Sequence, residues 1–453
     1  MVRSGWPSDV TLNWMQGILC ERFGQEALLS LVDDQYIRLG FQGQSGFIEL
    51  SLDPGTFNRN DSELPCGVWD PRDEGWIPVY LNKLAAPGVE VLPVPLLEPI
   101  NQGYRIHYDL LGLTYWMLSR CEEIGRLDLD EHGRFPARCS HAFKWGYLER
   151  PLVDEWLAIL AQVIERQWPH LTLVEHGFSI KVSHDVDEPS RYAFRSAKRL
   201  VRAVGGDLLK RADILSAIRA PLVKFSSGRR LSRFDPSNTF SWIMDQSERH
   251  GLVSAFYFIC GRTDPSKDAD YELEHPAIRD LLRSIHARGH EIGLHPSYNT
   301  HLCSDALKCE ADRLRKVCAE EGIVQSGWGG RMHYLRWSQS ATLAAWEQAG
   351  MTYDSTLGYA ELPGFRCGTC HEYQGFDPVE QRALSLRIRP LIMMDVTLTS
   401  AAYLGLNCGQ SAREVVDRFK SACQSVDGVF TLLWHNSNFM TPQERDFYSD
   451  ILG

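Results

Sequence analysis

From residue 178 onward, four apolar runs stop on ionisable residues. FSIKVSHDVD ends on Asp185 and Asp187, HEIGLHP on His295, LIMMDVT on Asp395, and TLLWHNS on His435. A further buried strand, VSAFYFICG, has no such ending. Among these runs lie stretches with apolar residues at helical spacing: TFSWIMDQSERHG, HPAIRDLLRSIHARG, SDALKCEADRLRKVCAEEG and SQSATLAAWEQAG. Strands alternating with helices call for a parallel sheet with helices packed outside it. In such a sheet, open or closed into a barrel, strand ends share one edge, and their closing residues gather over one mouth. The fold class is therefore α/β.

Residues 1–175 read as a smaller α/β domain and 176–453 as the main one. QYIRLGF and SGFIELSL have strand character, while HYDLLGLTYWMLSRCEEIG and LVDEWLAILAQVIERQW carry helical periodicity. DEHGRFPARCSHAF between those helices is loop-like, and no catalytic constellation shows in the domain. The Trp-rich GVWDPRDEGWIPVYL reads as packing. A net charge of −11 argues against a nucleic-acid binder working through bulk charge. No run of about 18 apolar residues exists to span a membrane, and the N-terminus lacks the apolar core of a signal peptide. The expected setting is the cytoplasm, with the 12 cysteines as reduced thiols.

One segment breaks the alternation. Residues 191–233 carry twelve Lys and Arg against two Asp, a local charge of +10, so the rest of the chain carries −21. Apolar residues recur there near helical spacing. The segment reads as a basic helical insertion, either a solvated one or a contact with an anionic membrane or a diphosphate beside the mouth. In the second case Arg199, Arg202, Lys210 and Arg211 would meet the anion.

The strand ends supply the candidate chemistry. Asp185 and Asp187 are two apart, so two carboxylates share a face if the strand runs through them; a bound cation removes their repulsion, or one of them stays protonated as a base. His290 and His295 are five apart and cannot share a strand face. His290 reads as structural and His295 as functional. Asn299 follows four residues later, within a turn of His295. Carboxylate, imidazole and amide oxygen would form an open divalent-metal site, Zn being the expected ion. Arg331 in GGRMHYLRW could hold a carboxylate ionised. Asp354 in MTYDSTLGY reads as a helix cap taken singly, and Asp395 and His435 close buried strands.

SHDVD, GHEIGLHPSYN, RMHY, YDST and LLWH, in that order over about 176–445, resemble the five motifs of the polysaccharide deacetylase (NodB-homology) family. The resemblance implies a distorted (β/α) barrel. It implies Asp185 as base, Asp187 and His295 as metal ligands with Asn299 in the place of a second histidine, and Arg331 orienting Asp185. It also implies His435 as general acid, with Asp354 or Asp395 charging it. His333 stands where the family has proline. The Tyr334 N–H would stabilise the oxyanion, making His333 and Tyr334 substrate-contacting. The whole chain is similar to two-domain bacterial members with an uncharacterised N-terminal domain, associated with cell-surface polysaccharide synthesis.

GFRCGTCHEY holds a Cys367-x-x-Cys370-His371 pattern, which reads as a loop over the mouth instead of a haem attachment, with Arg366 able to reach an anionic substrate. The expected function is metal-dependent removal of the acetyl group from an N-acetylated sugar, a nucleotide- or lipid-linked precursor. The alternatives are a catalytically silent sugar-binding or scaffold relative, or another amide hydrolase on the same barrel.

Overall fold

The computed structural model describes residues 6–210 and 214–453, with the backbone alone at Lys210. Among the described residues nine strands form the main sheet, in the order Tyr373–Asp377, Arg382–Ile388, Tyr353–Asp354, Gly329–Gly330, Glu291–His295, Ser254–Ile259, Ser179–Val186, Val429–Leu433, Met393–Met394. Every neighbouring pair is parallel except the first, an antiparallel hairpin. The run LSLRIRPLIMMDVT is split between two strands at different places in this sheet. Among the described residues the two outermost strands do not pair with each other, so the sheet is open and the expected closed barrel is not formed. Closure needs strand tilt and stagger to match all round, and three members of this sheet are only two residues long.

The helical spacings fold as read, into Phe240–Arg249, Pro276–Ala287, Ser304–Glu320 and Ala341–Gln348. Each turns an apolar stripe inward, which buries Ile278, Leu282, Leu307 and Leu314 completely. Parallel register then sets the mouth. Asp185 lies opposite Tyr257, His295 opposite Ile259, and Leu433 opposite Ser183. Asp185, His295, Arg331, Asp395 and His435 therefore all leave the sheet along one edge. Gly330 matters here, because a Cβ there would lie 1.9 Å from the Leu294 oxygen. Its bare backbone lets Arg331 begin directly at the strand end.

The N-terminal part holds a five-stranded sheet in the order Ala27–Leu31, Tyr36–Phe41, Phe47–Ser51, Gly103–Ile106, Leu97–Ile100. Helix Leu152–Gln167 packs on it, and Trp69 stacks on Trp156 at 5.5 Å, so the Trp-rich segment is packing. Helix Asp9–Phe23 reaches the main sheet: Trp14 lies 4.9 Å from Phe376 and donates from Nε1 to the Gln374 carbonyl at 2.9 Å. One hydrophobic core runs through both parts. Among the described residues no disulfide joins any of the cysteines.

The basic segment folds into helices Ala197–Lys210 and Ile214–Ser226, packed on each other. Arg191 binds Asp207, and Arg199 pairs with Asp270. Arg202 is exposed, whereas the Lys210 side chain and Arg211 lie outside the described residues.

Candidate metal centre and its acid–base pair

Strand Ser179–Val186 ends one residue after Asp185, and Asp187 follows at the start of the loop. Both face His295, whose Nε2 lies 3.6 Å from Asp185 Oδ2 and 3.3 Å from Asp187 Oδ1. The His295 Nδ1–H donates to the Arg331 carbonyl at 2.6 Å, which leaves Nε2 as a lone pair aimed at the carboxylates. A second imidazole completes the group. His333 is buried, its Nδ1 bonds Asp268 Oδ1 at 3.1 Å, and its Nε2 lies 3.6 Å from Asp187 Oδ1. The ligand-capable atoms of Asp187, His295 and His333 all lie within 4.8 Å of one another.

This donor set fits a divalent cation. Asp187 Oδ1 is buried and accepts no hydrogen bond from the described residues, although two imidazoles stand beside it. The Asp187 side chain as a whole is 36% exposed, so the group is open on one side. Burial pushes its carboxyl up, but His333, His295 and His435 overcome this and hold it well below the usual carboxylate range. Two histidines and one carboxylate with an open side are the ligand pattern of catalytic zinc and of other divalent sites. Each histidine is oriented through its second nitrogen, as metal-ligating histidines are.

Asn299 is not brought to this group. It is exposed, its Oδ1 accepts from Arg336 at 3.1 Å and its Nδ2 donates to the Thr263 carbonyl at 3.4 Å. The chain leaves His295 through Pro296 and is tied back at Ser297 by Glu310, so the turn carries Asn299 away from the mouth. His333, expected only at a substrate, stands beside Asp187 and His295 instead. His290 is structural as read, accepting from the Ser254 N–H at 3.1 Å.

Arg331 is buried and binds Asp185 Oδ1 at 2.8 Å. Its remaining donors go to Ser183 and to the Ser355 hydroxyl and carbonyl. Asp185 Oδ2 is left facing the site. On the opposite side, His435 Nδ1 bonds Asp395 Oδ1 at 2.8 Å, and its Nε2 lies 3.7 Å from Asp187 Oδ2. Asp395 also accepts from the His435 N–H and from Asn438. Burial disfavours the imidazolium, yet the Asp395 carboxylate outweighs it and His435 is pushed up to about 10.

Asp354 does not share the role of Asp395. It is fully buried outside the cavity lining, and its Oδ1 accepts from the Thr356 N–H while Oδ2 has no partner among the described residues. Burial raises its carboxyl to about 6 against the Thr356 hydrogen bonds. It holds the strand-to-loop turn.

Arg366 does not reach a substrate either. It is 2% exposed, binds Glu123 Oε1 at 2.9 Å and donates to the Gly358 carbonyl at 2.8 Å. Glu123 also takes Arg120 Nε at 2.9 Å, making a buried arginine–glutamate–arginine cluster between the two parts of the chain. Removing Arg366 leaves the buried Glu123 carboxylate with Arg120 in place of two guanidiniums. Arg366→Ala is expected to cost up to about 3–5 kcal/mol of stability, read as a lower urea midpoint, with metal content unchanged.

The cavity over these residues holds about 200 Å³. Leu335, Met394, Val396 and Leu433 form its apolar wall, while Tyr334, Tyr403, Lys267 and Arg134 complete the rim. Tyr334 and Leu335 have positive φ, 61° and 55°, a conformation uncommon for residues other than glycine. Arg134 comes from the N-terminal loop read as having no chemistry; it donates to the Tyr334 carbonyl at 3.0 Å and pairs with Asp130. Only its DEHGR context, an arginine four residues after an acid, hints at an ordered loop. Asp268 carries no periodic signal at all.

Comparison with known proteins adds little to this geometry. The model of a family of unknown function (DUF7033) matches residues 62–169, within the N-terminal part. No curated protein matches. Among solved structures, a putative polysaccharide deacetylase from Mycobacterium smegmatis is 17% identical, with 61% of this chain and 85% of that chain covered and a TM-score of 0.37. Puue allantoinase is 12% identical, covering 61% of this chain and 83% of that chain at a TM-score of 0.38. At such TM-scores neither likeness carries an argument, and the reading of the site rests on its residues.

Proposed function

We propose that the protein is a metal-dependent hydrolase of amide bonds that removes the acetyl group from an N-acetylated amino sugar. One observation carries the reading: an open carboxylate–imidazole–imidazole group lies between an arginine-held carboxylate and an aspartate-held imidazole. These are the parts that amide hydrolysis requires. The chain is read as akin to the NodB-homology deacetylases, its main domain at about 176–453 and a smaller one at 1–175.

Asp187, His295 and His333 would hold the cation. When bound, it supplies a Lewis acid for the amide oxygen and lowers the pKa of water. Asp185 Oδ2 takes the proton of the attacking water, and Arg331 keeps that carboxylate ionised through its other oxygen. His435 is charged by Asp395 and stands across the group, placed to give a proton to the departing amine. The apolar wall of Leu335, Met394 and Leu433 suits an acyl methyl. A ureide has no methyl to place there, which favours an acetamide. Lys267 and Arg134 at the rim would meet an anionic carrier such as a diphosphate.

The test is product analysis on zinc-loaded protein. Acetate released from an N-acetylhexosamine, carried on a nucleoside diphosphate or on a lipid diphosphate, is the expected result. Ammonia from a small ureide with no acetate from sugars would move the protein to another amide hydrolase. Neither product would support the silent sugar-binding reading.

A further inference from the structure

The helix pair Ala197–Lys210 and Ile214–Ser226 is built inside out. Its inner seam is small: Ala203, Ala217, Ala220 and Val223 are buried, with Tyr192 among them. Leu200 and Val204 pack against that seam, but most of the pair's large apolar residues point outward. Val201 is 73% exposed, Leu209 89%, Ile218 70% and Phe225 87%. Along the second helix Ile214, Ile218, Leu222 and Phe225 recur at intervals of four and three, and in the first Val201 and Leu208 are seven apart, each set on one face. A water-facing stripe would normally be polar, and an exposed apolar stripe of this extent marks a docking surface.

Charge decides what docks. Lys198, Arg202 and Arg229 are exposed and form no ion pair among the described residues. The chain as a whole carries −11, so this cationic segment is the exception on an acidic protein. Side chains this exposed project into open solvent and do not line a cleft. A shaped protein partner would need complementary pockets, whereas the fluid boundary of a bilayer needs none. An apolar stripe flanked by lysine and arginine is the pattern of helices that lie in the plane of an anionic membrane. Among the described residues no helix is long and apolar enough to cross one.

We infer that this helix pair docks the protein on the surface of an anionic phospholipid bilayer. The pair is joined to the site. Phe194, Arg195 and Arg199, at its base, line a cavity of about 250 Å³ that shares Asp187 and Lys267 with the cavity over the metal group. Docking would therefore set the mouth close to the lipid headgroups. The inference stands independently of the amide-hydrolase reading, because it rests on the exposed stripe and the cations beside it.

The experiment is co-sedimentation of the full chain with vesicles of phosphatidylcholine, with or without roughly 30 mol % phosphatidylglycerol. The wild-type protein is expected to partition onto the anionic vesicles at least about tenfold more strongly than onto neutral ones. Replacing Leu209, Ile218, Leu222 and Phe225 together by serine should weaken this by about tenfold or more, with thermal midpoint and zinc content unchanged. K198E, R202E and R229E combined should abolish the preference for anionic lipid. Wild-type protein that stays in the supernatant overturns the inference, as does a serine variant that still sediments fully. Sedimentation velocity supplies the third outcome: a wild-type oligomer that the serine variant dissolves, without vesicle binding, would assign the stripe to a second copy of the chain.

Discussion

His333→Ala is expected to lose zinc, whereas Asn299→Ala is expected to keep it. Replacing the partner that orients a metal-ligating histidine costs about 10–100-fold in affinity, and deleting the ligand itself costs more. Competitive titration against a chelator should therefore give a drop beyond about 100-fold for His333→Ala, and about 10–100-fold for Asp268→Asn. Asn299→Ala should move the affinity by less than about twofold, since among the described residues its side chain bonds only Arg336 and Thr263. Circular dichroism controls for folding. Zinc lost from Asn299→Ala and retained by His333→Ala would dismantle the proposed ligand set. The same comparison bears on Asn299→His, which gains nothing at a position turned away from the group.

Asp185→Asn should separate the base from the metal site. The asparagine amide oxygen can still accept from Arg331, so the buried guanidinium keeps a partner and the fold survives. What disappears is the basic oxygen facing His295. General-base catalysis contributes about 10²–10⁴-fold, so acetate release should fall by that factor with zinc stoichiometry unchanged. The loss should lie in kcat with KM nearly constant, since water activation belongs to the transition state. Undiminished turnover would remove Asp185 from the mechanism and leave the zinc group without an assigned base.

The residues that end strands are legible in the amino-acid sequence itself. Asp185, Asp187, His295, Asp395 and His435 close apolar runs, and parallel pairing delivers them to one edge whatever the details of the loops. Arg331 is legible for the same reason, directly after the Gly329–Gly330 strand. Residues a few positions beyond a strand are not. Their direction depends on contacts made by other parts of the chain. Asn299 is carried off by a turn tied to Glu310, and His333 is aimed by Asp268, which comes from a different loop. Asp354 and Asp395 both close short strands, but only Asp395 lies beside His435. Arg366 is an exposed arginine by composition and a buried one by its pairing with Glu123, more than two hundred residues earlier.

The sequence alone determined an α/β chain with a main parallel sheet and a polar mouth at its strand ends, because burial and periodicity are local properties of each run. Tertiary structure decided that the sheet stays open and that the N-terminal loop closes the rim with Arg134. It also decided that His333 joins Asp187 and His295, and that the basic helices show their large apolar residues to the outside. These outcomes depend on which distant backbone atoms and charges stand opposite a side chain, and no stretch of neighbouring residues encodes that.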